Sequence, residues 1–182
     1  MVITIVIALV ASVPAAWWSM SDDAADADTV VLESPGGSIA LNRQSEGSLL
    51  ATTALETLSG DVISSAALLG QPLVVNVWYS TCEPCRREFP VLAAAHERYG
   101  DEVRFVGVNI SDTAETTKSF AAQFGARFEQ YRDPNGVFTT AMGIATAPVT
   151  LFVDPGGIVV RQVAGEITAD VLDATLSEAF GV

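Results

Sequence analysis

At 182 residues and 49% hydrophobic, the chain is long enough to bury one sizeable core and too apolar to be intrinsically disordered. Its 22 acidic against 9 basic residues give a formal charge of −13, with Lys118 the single lysine. That balance excludes a phosphate-neutralising surface for nucleic acid and any attraction to an anionic lipid face.

The first eighteen residues, MVITIVIALVASVPAAWW, carry no charge and read as a targeting or anchoring segment. A cleaved signal peptide within residues 1–20 would use Val13-Pro14-Ala15 or, further on, Ala25-Asp26-Ala27 as its small-residue site. An uncleaved anchor needs about 20 apolar residues. Val2 to Trp18 supplies seventeen, with Trp17 and Trp18 where an interfacial aromatic belt would lie, and this reading is slightly favoured. A third reading, an N-terminal core strand, is opposed by the aspartate-rich stretch Ser21 to Asp28 that follows. Either export reading places the bulk of the protein outside the cytoplasm. Residues 21–53 read as linker and N-terminal extension, within which Val30-Val31-Leu32 and Ile39-Ala40-Leu41 flank Ser34-Pro35-Gly36-Gly37 and permit a hairpin.

From Ala54 the elements are clearer, and residues 54–182 read as the domain. Leu55 to Leu58 and Val62-Ile63 flank Ser59-Gly60-Asp61 as a small hairpin, and Ser64 is placed to cap a short helix ending at Gly70. The apolar run Leu73 to Tyr79 reads as a buried strand. A helix follows to Tyr99, with Phe89, Leu92, Ala93 and His96 on neighbouring turns and Pro90 inside it. Val103 to Ile110 reads as a strand buried on both faces. Asp112 with Glu115 has capping-box spacing for a helix lined by Thr117, Phe120, Ala121 and Phe124. A short strand at Phe128 to Tyr131 and a brief helix at Phe138 to Met142 come next. Val149 to Val153 and Ile158 to Val163 flank the hairpin turn Asp154-Pro155-Gly156-Gly157, and Thr168 caps a last helix with Leu172, Leu176, Ala179 and Phe180 inward. Strands alternating with helices and ending in a hairpin imply an α/β fold, a mixed sheet with helices on both faces.

The chemistry points to Cys82-Glu83-Pro84-Cys85, which holds the only two cysteines. Placed where the strand hands over to the helix, Cys82 meets unpaired backbone N–H groups and the helix dipole, which stabilise a thiolate. Residues three apart on a helix stand about 5–6 Å apart at Cβ, so the two sulfurs can close a disulfide. Cys82, expected exposed at the helix tip, would attack a partner disulfide, and Cys85, one turn deeper, would resolve the mixed disulfide. Pro84 suits a first helical turn, where its missing N–H costs nothing. A zinc site is disfavoured, because two thiols and the single His96 do not make the usual four ligands. A purely structural bridge closing so short a loop would stabilise the fold little.

The segment Asn76 to Pro90, NVWYSTCEPCRREFP, resembles the active-site stretch of the membrane-tethered thioredoxin-like reductases of the ResA, TlpA and CcmG group. Ala145 to Asp154, ATAPVTLFVD, resembles that family's second signature, in which a cis-proline opens a strand beside the cysteine pair. The resemblance spans roughly Ala54 to Phe180. It implies a thioredoxin fold, a mixed central sheet flanked by helices with an N-terminal hairpin and a central αβ insertion. It also implies catalysis by Cys82 and Cys85 with Glu88, a glutamate that in this group assists proton transfer; the plain alternative is a solvated helix glutamate near Arg87. Glu83, Pro84, Ala147 and Pro148 fall at the substrate-contacting positions, the Ala147 backbone being free to pair with an extended client if Pro148 is cis. Glu83 beside the nucleophile also opposes thiolate formation. Thr81 stands where the family commonly has tryptophan, which makes the rim smaller and less apolar.

The resulting expectation is an extracytoplasmic protein disulfide reductase with no cofactor beyond its own dithiol. By resemblance, its partners are a disulfide-containing exported protein, apocytochrome c foremost, and a membrane electron donor of the CcdA or DsbD kind; the N-terminal segment meets the membrane. A peroxiredoxin-like peroxidase and a non-enzymatic module with a structural disulfide are the alternatives.

Overall fold

The computed structural model describes residues 41–182 together with the backbone of Leu32–Ser34 and Gly37–Ile39. The expected export segment at 1–20 and most of the linker lie outside the described residues. Leu32–Ser34 (β1) and Gly37–Ile39 (β2) pair antiparallel, the hairpin that the Pro-Gly-Gly punctuation permits. Among the described residues, no helix is long and apolar enough to cross a membrane.

The remaining strands are Ala54–Thr57 (β3), Val62–Ser64 (β4), Leu73–Trp78 (β5), Arg104–Asn109 (β6), Glu129–Arg132 (β7), Val149–Val153 (β8) and Val159–Ala164 (β9). They form one sheet in the order β4-β3-β7-β6-β5-β8-β9. β5, β6 and β7 run parallel, while β3 pairs antiparallel with β7 and β8 with β5. The helices are Glu83–Tyr99 (α1), Ala114–Gln123 (α2), Val137–Met142 (α3) and Ala169–Phe180 (α4), with a single 3-10 turn at Ser65–Leu68. Two successive right-handed crossovers, β5-α1-β6 and β6-α2-β7, step the same way along the sheet and so put α1 and α2 on one face. The chain then returns past β6 and β5 through α3 on the opposite face, and the β8-β9 hairpin and α4 complete the domain. This is the expected mixed α/β architecture, with α2 and β7 as the central αβ addition.

The period-two alternation of β5 divides the core. Val74 and Trp78 pack with Cys85, Phe89 and Leu92 of α1, Phe120 of α2 and Leu172 and Leu176 of α4. Leu73, Val75 and Val77 pack on the other face with Val106, Leu151, Phe138 and Met142. All six β5 residues are buried, as a central strand covered on both sides must be.

Residues 42–53 form no helix or named strand, yet they are pinned along the domain. The N–H groups of Gly47 and Leu50 donate to the carbonyls of Val159 and Gly157, and Ser45 is buried. One local expectation fails. Asp112 does not cap α2: the cap is Thr113, whose hydroxyl accepts from the Thr116 N–H. The helix starts one residue later than the Asp-Glu spacing implies, because the Asp112 carboxylate has stronger partners elsewhere.

Candidate active site

β5 ends at Trp78, and four residues later α1 begins with Cys82 as its N-cap. The Cys82 sulfur accepts the Cys85 backbone N–H at 3.2 Å, taking up one of the donors that a helix start leaves unpaired. Cys82 and Cys85 are joined in a disulfide, with Cα atoms 5.2 Å apart. Pro84 occupies the first turn as expected. Contrary to expectation, Cys82 is not exposed. It is 4% accessible against 0% for Cys85, and both are packed in the core cluster that includes Trp78 and Phe89. The small residual exposure still belongs to Cys82, the residue at the helix tip.

Behind the pair, Glu88 is fully buried, so the solvated-glutamate alternative is set aside. Its Oε1 accepts from the Asn76 side-chain amide at 2.7 Å and its Oε2 from the Ile167 N–H at 2.9 Å. Burial raises its pKa to about 7, against the pull of these two donors, and the Glu166 carboxylate adds to the rise. The group is thus poised to exchange a proton near neutrality. The same Asn76 nitrogen also donates to Thr150 Oγ1 at 3.1 Å, and the Asn76 side-chain Oδ1 is buried without a partner. The amide is committed as a donor toward the carboxylate.

The neighbouring peptide bond Ala147–Pro148 is cis. Pro148 is buried, and Ala147 is partly buried against the cluster that holds both cysteines. No hydrogen bond joins the Ala147 backbone to another described residue. Glu83 is exposed on the rim and pairs with Arg87, 3.6 Å away, while Arg87 also reaches Glu166 at 2.6 Å. That link ties α1 to the loop that carries the Ile167 donor. His96 lies down the helix against Phe105 and Phe128, as a packed helix residue.

Two contributors escaped the sequence reading. Asp112 accepts from the Ser80 N–H, the Ser80 hydroxyl and the Asn109 amide, each at 2.7 Å. Arg86 donates to the Ser80 carbonyl at 3.1 Å and lies over the Phe120 and Phe124 rings. Together they fix the short loop that delivers Cys82. No spacing in the chain signals this, since Asp112 is 32 residues from Ser80.

A disulfide-bonded cysteine pair at the first turn of a helix, a buried carboxylate three residues further along it and a cis-proline next to Ala147, which packs against the same cluster, on a thioredoxin-type sheet, are the features of a thioredoxin-fold thiol–disulfide oxidoreductase. A family model described as the AhpC/TSA family matches residues 47–162. The chain belongs to that family, in its thioredoxin-like TlpA/ResA/CcmG group. It is 30% identical over 129 residues to the thiol-disulfide oxidoreductase ResA of Bacillus subtilis, covering 70% of this chain and 72% of ResA. It is 34% identical over 104 residues to the thiol:disulfide interchange protein HelX of Rhodobacter capsulatus, covering 57% of each. Among solved structures, dsbF of MTB (Mycobacterium tuberculosis) superposes with a TM-score of 0.64 at 30% identity, over 70% of this chain and 94% of that one.

Proposed function

We propose that the protein is a membrane-tethered reductase of protein disulfides on the extracytoplasmic side, with apocytochrome c as its foremost client. The observation that carries the exchange chemistry is Glu88: a fully buried carboxylate three residues beyond Cys85, with its pKa near neutrality, can take the proton from Cys85 as the resolving thiolate forms. In the reduced enzyme the Cys82 thiolate, stabilised by the Cys85 N–H and the helix dipole, attacks a client sulfur and expels the other client thiolate. Cys85 then attacks the Cys82 sulfur, so that two thiols leave on the client and the Cys82–Cys85 disulfide remains. Glu83 and Pro84 on the rim, with Ala147 and Pro148, receive the client chain, whose extended backbone pairs with the free Ala147 N–H and C=O. Electrons pass through the dithiol alone, with no further cofactor.

The uncharged N-terminal segment supports a tether or export signal, and the TlpA/ResA/CcmG resemblance supports apocytochrome c and a CcdA- or DsbD-type donor that re-reduces the pair. An oxidising compartment requires such a donor. The test uses the full chain. Cys85→Ser should accumulate a mixed disulfide between Cys82 and its client, whereas Cys82→Ser should trap nothing and lose all turnover. Peroxide consumption that needs Cys82 but survives loss of Cys85 would overturn this reading in favour of a peroxidase. A potential near about −120 mV in glutathione buffers would mark an oxidant instead, and one below about −250 mV a reductase.

A further inference from the structure

The segment Ala145 to Ala147, which links α3 to β8 and ends on the cis peptide bond, has almost no backbone hydrogen bonds of its own. Ile144 N–H donates back to Thr139 and Gly165 N–H reaches the Pro148 carbonyl, but between these anchors no main-chain partner exists among the described residues. What holds the segment comes from the far end of the chain. Asn42 Oδ1 accepts from the Ala145 N–H at 2.7 Å and from the Thr146 N–H at 2.9 Å, and Asn42 Nδ2 donates to the Thr146 carbonyl at 3.1 Å. Every backbone hydrogen bond found at residues 145 and 146 thus ends on a single side chain. Beside it, the Arg43 N–H donates to the Gly143 carbonyl, and the Arg43 guanidinium donates to the Ala141 carbonyl at 2.8 Å. Arg43 crosses Gly143 so closely that a Cβ there would lie 2.7 Å from the Arg43 Cβ, and the left-handed φ of 67° there further favours glycine.

We infer that Asn42 is a positioning residue for client binding: it clamps the strand-like backbone on which Ala147 presents its free N–H and C=O to the client. The inference rests on the reading of Ala147 as the client-pairing residue. Only an amide fits the role, because it places an acceptor with two lone pairs and a donor in one plane. Aspartate can accept both N–H groups but cannot donate to Thr146; alanine loses all three bonds. A loosened segment must be ordered again each time a client chain pairs with it, which weakens binding without altering the sulfur chemistry. Asn42 lies outside the matched stretch 47–162, on the connection toward the N-terminal segment.

The test is steady-state reduction, with dithiothreitol as the electron donor that re-reduces the Cys82–Cys85 disulfide and the uncatalysed rate subtracted, of a short extended peptide whose cysteine is a mixed disulfide with glutathione, and of the same peptide with the backbone amides flanking the cysteine N-methylated. The parent enzyme should show a higher KM for the methylated peptide. Asn42→Ala should raise the KM for the plain peptide by roughly tenfold, blunt the discrimination against methylation and leave kcat within about twofold. Asn42→Asp should fall between parent and Asn42→Ala. A parental KM in Asn42→Ala, with the parent still discriminating, overturns the positioning role and leaves the Ala147 reading standing. Equal losses in kcat and KM, or an Asn42→Asp as impaired as alanine, overturn it too. A parent indifferent to methylation instead sinks the Ala147 reading, and this inference with it.

Discussion

On one face of β5, Asn76 and Trp78 meet a layer of rings, sulfur and a buried carboxylate, whereas on the other Leu73, Val75 and Val77 meet a mainly aliphatic layer. Trp78, Phe89 and Phe120 lie with centroids 4.5 to 5.0 Å apart directly behind the cysteines. Both faces bury a large apolar core, but the cysteine face also accepts an ionisable group, Glu88, at 0% exposure. The difference teaches that the aliphatic face can lose stability without disturbing the sulfurs or Glu88, because neighbouring β5 residues point in opposite directions.

The aliphatic face offers the largest effect. Leu151→Ala should cost about 2–5 kcal/mol in urea unfolding, through lost burial and a residual cavity, with exchange per folded molecule unchanged. A drop in exchange rate would break the separation of faces. Glu88→Gln should do the reverse. The folded-state pKa of Glu88 is raised above the ordinary carboxylate value, so the folded state holds its proton longer and stability falls as pH rises from about 4.3 to about 7. The glutamine variant should lack that decline. Relative to the parent it should gain roughly 1–3 kcal/mol at about pH 8 and nothing at about pH 3.5, while exchange slows about a hundredfold. Identical pH dependence of the two melting curves would show that Glu88 is not the titrating group.

Asp112→Ala tests whether the loop before Cys82 needs its anchor. Loss of three charge-assisted bonds to Ser80 and Asn109 should cost about 1–3 kcal/mol and slow client exchange, with slower thiol labelling of Cys82 in the reduced protein as the readout. The smallest effect is expected at Arg104, which bridges to Glu129 at 2.7 Å on the far side of the domain. There Arg104→Ala should cost at most about 1 kcal/mol, should matter less in high salt and should leave exchange alone.

Much of this was legible in the chain. The mostly apolar run of β5, the Ser64 and Thr168 caps and the Asp-Pro-Gly-Gly turn each carry a local physical signal, and each element formed where its signal lies. The Cys-Glu-Pro-Cys spacing likewise announces its disulfide. Asp112 misled because a cap is a local bond and its actual partners are not local. The burial of Cys82 was equally illegible, since accessibility depends on what the rest of the fold lays over a residue.

The amino-acid order alone determined the strands, most of the helix starts and which two sulfurs pair, because those depend on contacts within a few residues. Tertiary structure decided what surrounds the sulfurs: the burial that lifts Glu88, the Ile167 N–H that faces it, the Asp112 hold on Ser80 and the Asn42 clamp beside Pro148. Each joins residues dozens of positions apart, and such contacts exist only once the sheet has brought distant segments together.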